Sequence, residues 1–428
     1  MTTFKDIIGY KKEKEELMYI CDMMKNVKKY KDKNIHIPKA LLLYGEPGTG
    51  KTTMAKALIN ESGRNCFNCR KNKSNGDFVD EIRKTFEEAK KNEPSIILLD
   101  DMDKFAEDNL EINANKEEFA TIQTCMEDLG DLDVFIIATA NDIDFLPNSL
   151  LRAGRFGRKM KIDIPDFKST EELIKHFLKT NNIKCELNSN ALANILYKKS
   201  CASIKEVINE ANIYSIYRNK KKITKDELIP AILKISSGEI EKEVDLDKRK
   251  IVAMHEAGHA VVALAYGKIV SLITIRRYGD CGGITYIRSK EEDVETYDTE
   301  TELSINLAGK ASTEMNEDKF IDYGAEKDIE EAVKICKKDI EKRLYLGFDY
   351  GYDYYKYENK QAYSRLDNIT DKIYETIEKE YKNAKDIIKA NDELFQVLTW
   401  KLLENGTLLY DDIYEIYSKY SKHSLLRD

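Results

Sequence analysis

The chain has 428 residues, enough for two large domains or about three smaller ones. Hydrophobic residues make up 42% and charged residues 34%, with only 6 prolines and 20 glycines, so the composition excludes a low-complexity or linker protein. The net charge of −8 disfavours a nucleic-acid partner. Scattered cysteines, no signal-peptide pattern and no run of about 18 apolar residues predict a soluble, cytoplasmic chain without a transmembrane segment.

The first third of the chain alternates short apolar runs with helical patterns. Three of these runs, Ala40–Tyr44, Ile96–Leu99 and Val134–Thr139, are continuous and rich in β-forming residues, as buried parallel strands are. Helical segments such as Phe78–Lys91 lie between them. This alternation predicts a domain built on an α/β sheet.

The pattern then becomes all-helical, until a polar stretch dense in both charges follows at Ser236–Lys250. A strongly apolar helix comes next, at Ile251–Tyr266, and two short strands around a glycine-containing turn follow it. The remainder has largely helical patterns. We therefore predict an α/β subdomain at 1–167, a helical subdomain at 168–235, a linker at 236–249 and a mainly α domain at 250–428.

A glycine-rich loop follows the first predicted strand and matches the phosphate-loop pattern G-x-x-x-x-G-K-[ST] at every fixed position. Glycines let backbone N–H groups curl around phosphate oxygens, and the following helix points its positive N-terminus at the same anion. In this pattern Lys51 reaches the β- and γ-phosphates, and the Thr52 hydroxyl binds Mg²⁺. The candidate nucleotide residues of the loop are Gly45, Glu46, Pro47, Gly48, Thr49, Gly50, Lys51 and Thr52.

A second apolar strand ends in two acids, Asp100 and Asp101. Downstream of a phosphate loop, the first acid is placed to hold the hydrated Mg²⁺, and the second would polarise the attacking water. Strands that end in acids are common, so this signal depends on the loop that precedes it.

The apolar helix carries His255-Glu256-Ala-Gly-His259, which matches H-E-x-x-H. Residues i and i+4 share one helix face, so both imidazoles can bind one Zn²⁺, and Glu256 can take a proton from water. Zinc needs a third protein ligand. The other histidines have no local motif, so we expect a carboxylate from a later helix, and spacing alone does not select it.

Together these motifs resemble the FtsH family of AAA+ zinc proteases over nearly the whole chain. The resemblance implies an AAA+ ATPase domain with a helical lid, followed by a zinc metalloprotease domain. It further implies ATP, Mg²⁺ and Zn²⁺ as cofactors, unfolded polypeptides as substrates and a ring, usually a homohexamer. The family's activity is ATP-dependent endopeptidase cleavage, which we expect here in the cytoplasm.

The resemblance also implies individual roles. Thr139-Ala-Asn141 resembles the sensor-1 element, in which Asn141 would orient the attacking water. Leu150–Arg158 resembles the arginine-finger segment, so Arg155 and Arg158 would reach the nucleotide of a neighbouring subunit. His176 matches a histidine of the lid near the nucleotide. Gly324–Glu330 resembles the segment that supplies the third zinc ligand, which would be Asp328.

Four departures from the family pattern bear on function. We expect the family's amino-terminal transmembrane part to be absent, and Asp101 stands where the family has Glu. The segment between Phe67 and Ile82 is shorter than the family's and lacks its aromatic-Val-Gly pore loop, and Cys201 replaces a lid glycine. Two alternatives therefore stay open: an ATP-dependent remodeller with a vestigial peptidase, against which the intact H-E-x-x-H argues, and a zinc peptidase with very weak ATPase activity.

Overall fold

The computed structural model divides into two compact units, Met1–Thr224 and Lys225–Asp428. The residues that it describes are 2–35, 37–71, 75–105, 116–237, 241–242, 246–278, 282–289, 298–316, 323–342 and 361–421. Within these ranges we find no helix that combines the length and the apolar character needed to cross a membrane.

A parallel sheet forms the centre of the first unit. Its described strands are β1 (Ala40–Tyr44), β2 (Asn65–Cys69), β3 (Ser95–Leu99), β4 (Val134–Ala140) and β5 (Arg158–Lys161). They lie in the order β2-β3-β4-β1-β5, and every neighbouring pair is parallel. Because β1, β3 and β4 are adjacent, their carboxyl ends meet at one edge of the sheet, which is where open α/β sheets bind ligands.

Helices cover both faces of this sheet. They are α1 (Lys11–Lys25), α3 (Lys51–Ser62), α4 (Asn75–Lys91) and α5 (Lys116–Asp128). The short helix α2 (Val27–Lys31) follows α1 and has no buried residue. Leu41 and Leu43 pack on one face with residues of α1 and α3, whereas Leu42 packs on the other with residues of α4 and α5. Each such leucine contributes about 1.5–3 kcal/mol by its burial. Burial on both faces explains why the strands are continuous apolar runs, and the predicted α/β class is confirmed.

The rest of the first unit is helical. Its helices are α6 (Phe167–Thr180), α7 (Ser189–Leu196) and α8 (Cys201–Tyr217). Each begins after a polar N-cap whose side chain accepts a hydrogen bond from a backbone N–H of the first turn: Asp166, Asn188 and Ser200. Such caps contribute about 1 kcal/mol each, so the sequence defines these helix starts locally.

The second unit is mainly helical, as predicted. Its helices are α9 (Lys225–Ser237), α10 (Leu246–Ala265), α11 (Thr299–Asn316), α12 (Glu326–Lys342), α13 (Gln361–Ala390), α14 (Asp392–Asn405) and α15 (Tyr410–Tyr420). Its strands are β6 (Glu241–Lys242), β7 (Ile269–Thr274), β8 (Arg277–Tyr278), β9 (Ile284–Arg288) and β10 (Thr407–Leu409). Strand β7 pairs antiparallel with β10 on one side and β9 on the other, and β6 pairs with β8.

Helix α10 is the central helix of the second unit. It packs against α11, α14 and β7, and its residues Ala253, Ala257, Ala260 and Val261 are fully buried in one core. These small side chains let neighbouring helices approach α10 closely. Because other elements pack against α10 on several sides, the buried part of the helix is apolar on nearly all of its faces. The helix that carries H-E-x-x-H is therefore buried in the hydrophobic core of the second unit.

The structure differs from the sequence expectations around the predicted linker. Helix α9 belongs to the second compact unit, where Lys225 pairs with Asp412 at 3.0 Å, whereas the sequence analysis assigns it to the helical subdomain. Helix α10 begins at Leu246, before its predicted start at Ile251. The residues between these two positions are polar apart from Leu246, and hydrophobic periodicity does not reveal a polar turn. The three boundaries between the four predicted segments stay predictions.

Candidate nucleotide and metal sites

A cleft of about 610 Å³ opens at the carboxyl edge of the parallel sheet. Apolar residues of the N-terminal segment and of α6 line it, among them Ile7, Leu173 and Phe177. The predicted site residues that line it are Pro47, Gly48, Thr49, Gly50, Lys51, Thr52, Asp101, Asn141 and His176. The cleft thus combines a polar loop with an apolar wall, as a nucleotide's phosphates and base require.

The glycines of the phosphate loop hold backbone conformations that other residues avoid. The φ angles of Gly45, Gly48 and Gly50 are 139°, 76° and 104°, in the region that favours glycine. A Cβ at Gly45 would lie 2.2 Å from the carbonyl oxygen of Ile162. The loop therefore needs these glycines for its shape, and α3 begins directly after it at Lys51.

Lys51 lies folded over the loop. Its ammonium donates hydrogen bonds to the carbonyl oxygens of Gly45 (2.7 Å) and Glu46 (2.8 Å) and to Oδ1 of Asn141 (2.9 Å). Burial lowers the pKa of Lys51, against the opposing effect of three nearby aspartates. A buried cation at a helix N-terminus favours a bound anion, so these residues fit a nucleotide phosphate.

Asp100 lies beside the loop rather than in the cleft lining. Its Oδ1 accepts hydrogen bonds from the hydroxyl groups of Thr52 (3.1 Å) and Thr139 (2.8 Å). The structure thereby brings together the hydroxyl and the carboxylate that the sequence predicts to hold Mg²⁺. Oxygen ligands of this kind suit Mg²⁺.

Asp101 adopts a left-handed backbone conformation with φ 58°. Its Oδ2 accepts hydrogen bonds from Nη2 of Arg70 (2.8 Å) and Nζ of Lys104 (3.0 Å). Although burial opposes them, these two cations hold the pKa of Asp101 below its usual value. The acid that should polarise water is therefore engaged by cations of its own chain, which the sequence alone did not indicate.

Asn141 is oriented by a residue that the sequence analysis missed. Its backbone N–H and its Nδ2 donate to the two carboxylate oxygens of Asp103, at 3.0 and 2.8 Å. Asp103 is buried, with 5% of its surface exposed. The contact fixes the amide so that Oδ1 faces Lys51, and the only signal in the sequence is an acid three residues after Asp100.

Arg155 and Arg158 do not line the cleft. Arg155 donates to Glu127 and to the carbonyl oxygen of Ser149, and Nε of Arg158 donates to Glu16 at 2.9 Å. Both guanidinium groups are thus held by acids of their own chain, on the surface of the first unit.

The second cleft, of about 310 Å³, lies in the second unit and is lined by both histidines of the motif. Nε2 of His255 lies 3.0 Å from Nε2 of His259, and Oδ2 of Asp328 lies 3.0 and 3.3 Å from these two nitrogens. Three ligands at bond lengths of about 2.0–2.1 Å in a tetrahedron lie about 3.3 Å apart. The three atoms therefore fit a zinc ion.

The surroundings of these three side chains also fit a metal. Nδ1–H of His259 donates to the carbonyl oxygen of Ile305 at 2.7 Å, which leaves the Nε2 lone pair facing the other two ligand atoms. Although burial raises it, the neighbouring rings of His255 and His259 hold the pKa of Asp328 well below its usual value. Gly309 on α11 makes room for the rings, since a Cβ there would lie 2.4 Å from His255.

Glu256 lies beside the cluster and is buried, with 5% of its surface exposed. Burial raises the pKa of its carboxyl. Its Oε2 accepts a hydrogen bond of 2.6 Å from Thr285 on β9, a contact that the sequence analysis did not predict. The arrangement can hold a divalent metal with one buried carboxylate beside it.

Comparisons with known proteins give a family match in each half of the chain. The family described as "ATPase family associated with various cellular activities (AAA)" matches residues 41–164, and "Peptidase family M41" matches residues 242–416. "ATP-dependent zinc metalloprotease FtsH 3" of Phytoplasma mali (strain AT) is 30% identical over 97% of this chain and 70% of its own length. "ATP-dependent zinc metalloprotease FtsH 1" of Thermoanaerobacter sp. (strain X514) is also 30% identical, over 97% of this chain and 72% of its own length.

A phosphate loop on a parallel sheet, followed by a helix-borne zinc motif, defines an ATPase joined to a metallopeptidase. The chain belongs to the FtsH family of ATP-dependent zinc metalloproteases. The predicted fold class and enzyme class are thereby confirmed, as are the predicted cofactors: Zn²⁺, ATP and the Mg²⁺ that is usual for AAA ATPases.

Proposed function

We propose that this chain is an endopeptidase that cleaves unfolded or loosely folded polypeptides in the cytoplasm, as part of a homohexameric ring. The observation that carries the peptidase part is the cluster of His255, His259 and Asp328 beside the buried Glu256. The free thiols of the described cysteines agree with a reducing compartment.

In the proposed peptidase site, His255, His259 and Asp328 hold the metal, and zinc supplies Lewis acidity when bound. Glu256 then accepts a proton from the attacking water at its carboxylate. Its position beside the cluster, in the lining of the same cleft, supports this role, because a general base must lie within reach of the proton that it accepts.

Strand β9 is the proposed platform for the substrate. In the described part of the sheet it pairs only with β7, and its residues Ile284, Thr285 and Ile287 line the cleft with the zinc cluster. A free strand edge binds an extended peptide by backbone hydrogen bonds. An unfolded segment offers unpaired backbone groups along its whole length, which supports unfolded polypeptides as substrates.

In the proposed ATPase site, Lys51 and the loop bind the phosphates, Thr52 and Asp100 hold Mg²⁺, and Asn141 and Asp101 orient the attacking water. His176 contacts the nucleotide from the lid. Arg155 and Arg158 would act on the nucleotide of a neighbouring subunit, which requires them to leave Glu127 and Glu16. Their location outside the cleft of their own chain supports a role across an interface.

The capacity to pull folded domains apart is proposed to be low. Phe78, an aromatic residue within the shortened segment between Phe67 and Ile82, of which residues 72–74 lie outside the described ranges, is fully buried and packs edge-to-face on Phe105 with ring centroids 4.9 Å apart. A buried side chain cannot grip a passing polypeptide. Unfolding a stable domain requires about 5–15 kcal/mol, whereas an unstructured substrate needs only the strand edge and the zinc site.

We therefore expect the zinc-loaded protein to degrade casein, and to degrade a stably folded fluorescent protein with an unstructured tail far more slowly. Casein loss is measured on gels with and without ATP, and the folded domain by its fluorescence. A chelator is the control, since it should stop both reactions. Rapid ATP-dependent loss of the folded domain's fluorescence would contradict the proposed weak unfolding.

The alternative of a very weak ATPase is favoured by the surroundings of Asp101. Its carboxylate is about 1.5 Å shorter in reach than that of Glu, and misplacement on this scale can cost about 10²-fold in rate. Its pairing with Arg70 and Lys104 restrains it further.

Replacing Asp101 with Glu is expected to raise steady-state ATP turnover, by up to about 10²-fold, measured by phosphate release. Nucleotide affinity, measured by titration, should stay unchanged, because Asp101 is not among the residues that bind phosphate. A lower turnover of Asp101→Glu would show that the site has adapted to Asp, and the explanation would fail.

A further inference from the structure

Thr285 connects the strand that borders the zinc cleft to the carboxylate beside the zinc ligands. Its hydroxyl lies 2.6 Å from Oε2 of Glu256 and 3.2 Å from the carbonyl oxygen of the same residue. A hydroxyl has one proton to donate, and the shorter, charge-assisted contact with Oε2 takes it. One of the two carboxylate oxygens is therefore already engaged.

The other carboxylate oxygen of Glu256, Oε1, lies against a glycine of the segment that leads into the same strand. A Cβ at Gly283 would lie 2.7 Å from Oε1 and 2.7 Å from Cγ of Glu256, so the carboxylate lies directly against a residue without a side chain. Gly283, Thr285 and Glu256 all line the zinc cleft. Because Thr285 holds Oε2, the carboxylate cannot rotate freely, and Oε1 remains the oxygen available to accept a proton.

The position of Thr285 is itself fixed by the sheet. Thr285 pairs with Ile273 and Ile284 pairs with Thr274 in the antiparallel register of β7 and β9. A slip of one residue would turn the hydroxyl to the opposite face of the sheet. A side-chain hydrogen bond thus links the strand proposed to bind substrate to the proposed base.

We propose that Thr285 is a positioning residue for the peptidase reaction, which aligns the Glu256 carboxylate through its hydroxyl. This inference rests on the proposed role of Glu256 as the base. Thr285 does not itself contact the reacting atoms, and it acts by fixing which oxygen of Glu256 faces the cleft.

The first test compares two replacements of Thr285 in the full zinc-loaded chain. Thr285→Val keeps the shape but loses the hydroxyl, and we expect kcat for casein-derived peptides to fall about 10–100-fold, as for other residues that orient a metal site. The value of KM should change less than about threefold, because orientation of the base matters in the transition state. Thr285→Ser restores the hydroxyl and should recover kcat to within about threefold of the original.

A matched control removes a buried hydroxyl that joins β9 to β7 instead of to Glu256. Ser271 on β7 is buried, and its hydroxyl donates to the carbonyl oxygen of Tyr286 on β9 at 3.3 Å. Ser271→Ala therefore weakens the contact between the strands without touching Glu256, and kcat should stay within about threefold of the original. Zinc content, measured by elemental analysis, should be unchanged in all these variants.

The second test does not use activity. In the zinc-depleted chain, calorimetry follows the unfolding transition that shifts upward when zinc is restored, which identifies the peptidase unit. Thr285→Val should lower its midpoint by about 2–4 °C, because a buried carboxylate oxygen loses its donor. In the Glu256→Met background, where no acceptor exists, the same replacement should shift the midpoint by less than about 1 °C.

Three outcomes would overturn the inference: a near-normal kcat in Thr285→Val, a Thr285→Ser variant as slow as Thr285→Val, or equal midpoint shifts in both backgrounds. Failure of the proposed function is distinguishable from these. If Glu256→Gln still cleaves peptides, the role of Glu256 is wrong; if it does not, while Thr285→Val is unaffected, only the role of Thr285 is wrong.

Discussion

Replacing Glu256 with Gln is expected to reduce peptide cleavage by about 10²-fold or more while the protein keeps its zinc. The amide has nearly the shape of the carboxylate but cannot accept a proton, and a general base contributes about 10²–10⁴-fold to the rate. The three proposed ligand side chains are untouched, since Glu256 is not part of the cluster of His255, His259 and Asp328. Peptide cleavage and elemental zinc content measure the two effects separately.

The companion variant, Asp328→Ala, is expected to lose zinc as well as activity. It removes one of three ligand atoms that lie within about 3.3 Å of one another. Glu331→Ala is the matched control, because Glu331 is on the same helix and pairs with Lys334 on the surface at 3.0 Å. Undiminished zinc in Asp328→Ala would point to another third ligand.

Much of the α/β unit could be predicted from the sequence because its strands are buried on both faces. Predicted strand Ala40–Tyr44 has the same bounds as β1, and the other two runs differ from β3 and β4 by one residue. Helix starts were less predictable: α10 begins five residues before its first predicted residue, Ile251. A polar first turn carries no periodic signal, so its helical state depends on the buried turns that follow.

The candidate sites were predictable where chemistry fixes spacing along the chain, as in Gly45–Thr52 and His255–His259. Contacts between distant residues were not. Thr285 meets Glu256 and Asp103 meets Asn141 only after the sheets form, and neither pair has a fixed spacing. Arg70 is a further example, since its contact with Asp101 joins the ends of two neighbouring strands.

Loss of nucleotide binding is the expected result of Lys51→Ala, because its ammonium is the buried cation of the phosphate loop. Arg155→Ala should instead leave binding intact and reduce ATP turnover, by about 10³-fold or more if it acts as a charge stabiliser from a neighbour. Binding is measured by titration with a fluorescent nucleotide. Two exposed lysines provide control variants. Lys56→Ala is the control for Lys51→Ala on the same helix, and Lys159→Ala, next to Arg158, is the control for Arg155→Ala.

Mixing these two inactive variants tests whether the nucleotide sites lie between subunits. An Arg155→Ala subunit still binds ATP, and a Lys51→Ala subunit still offers its arginine, so an interface that joins them in the right order has every part. In an equal, random mixture about a quarter of the interfaces have that order, and ATP turnover should recover accordingly. Each variant alone, at the same total protein concentration, should show no recovery of ATP turnover. If light scattering shows that the active species is a monomer, or if the mixture stays inactive, Arg155 acts within its own chain or not at all, and the proposed ring is wrong.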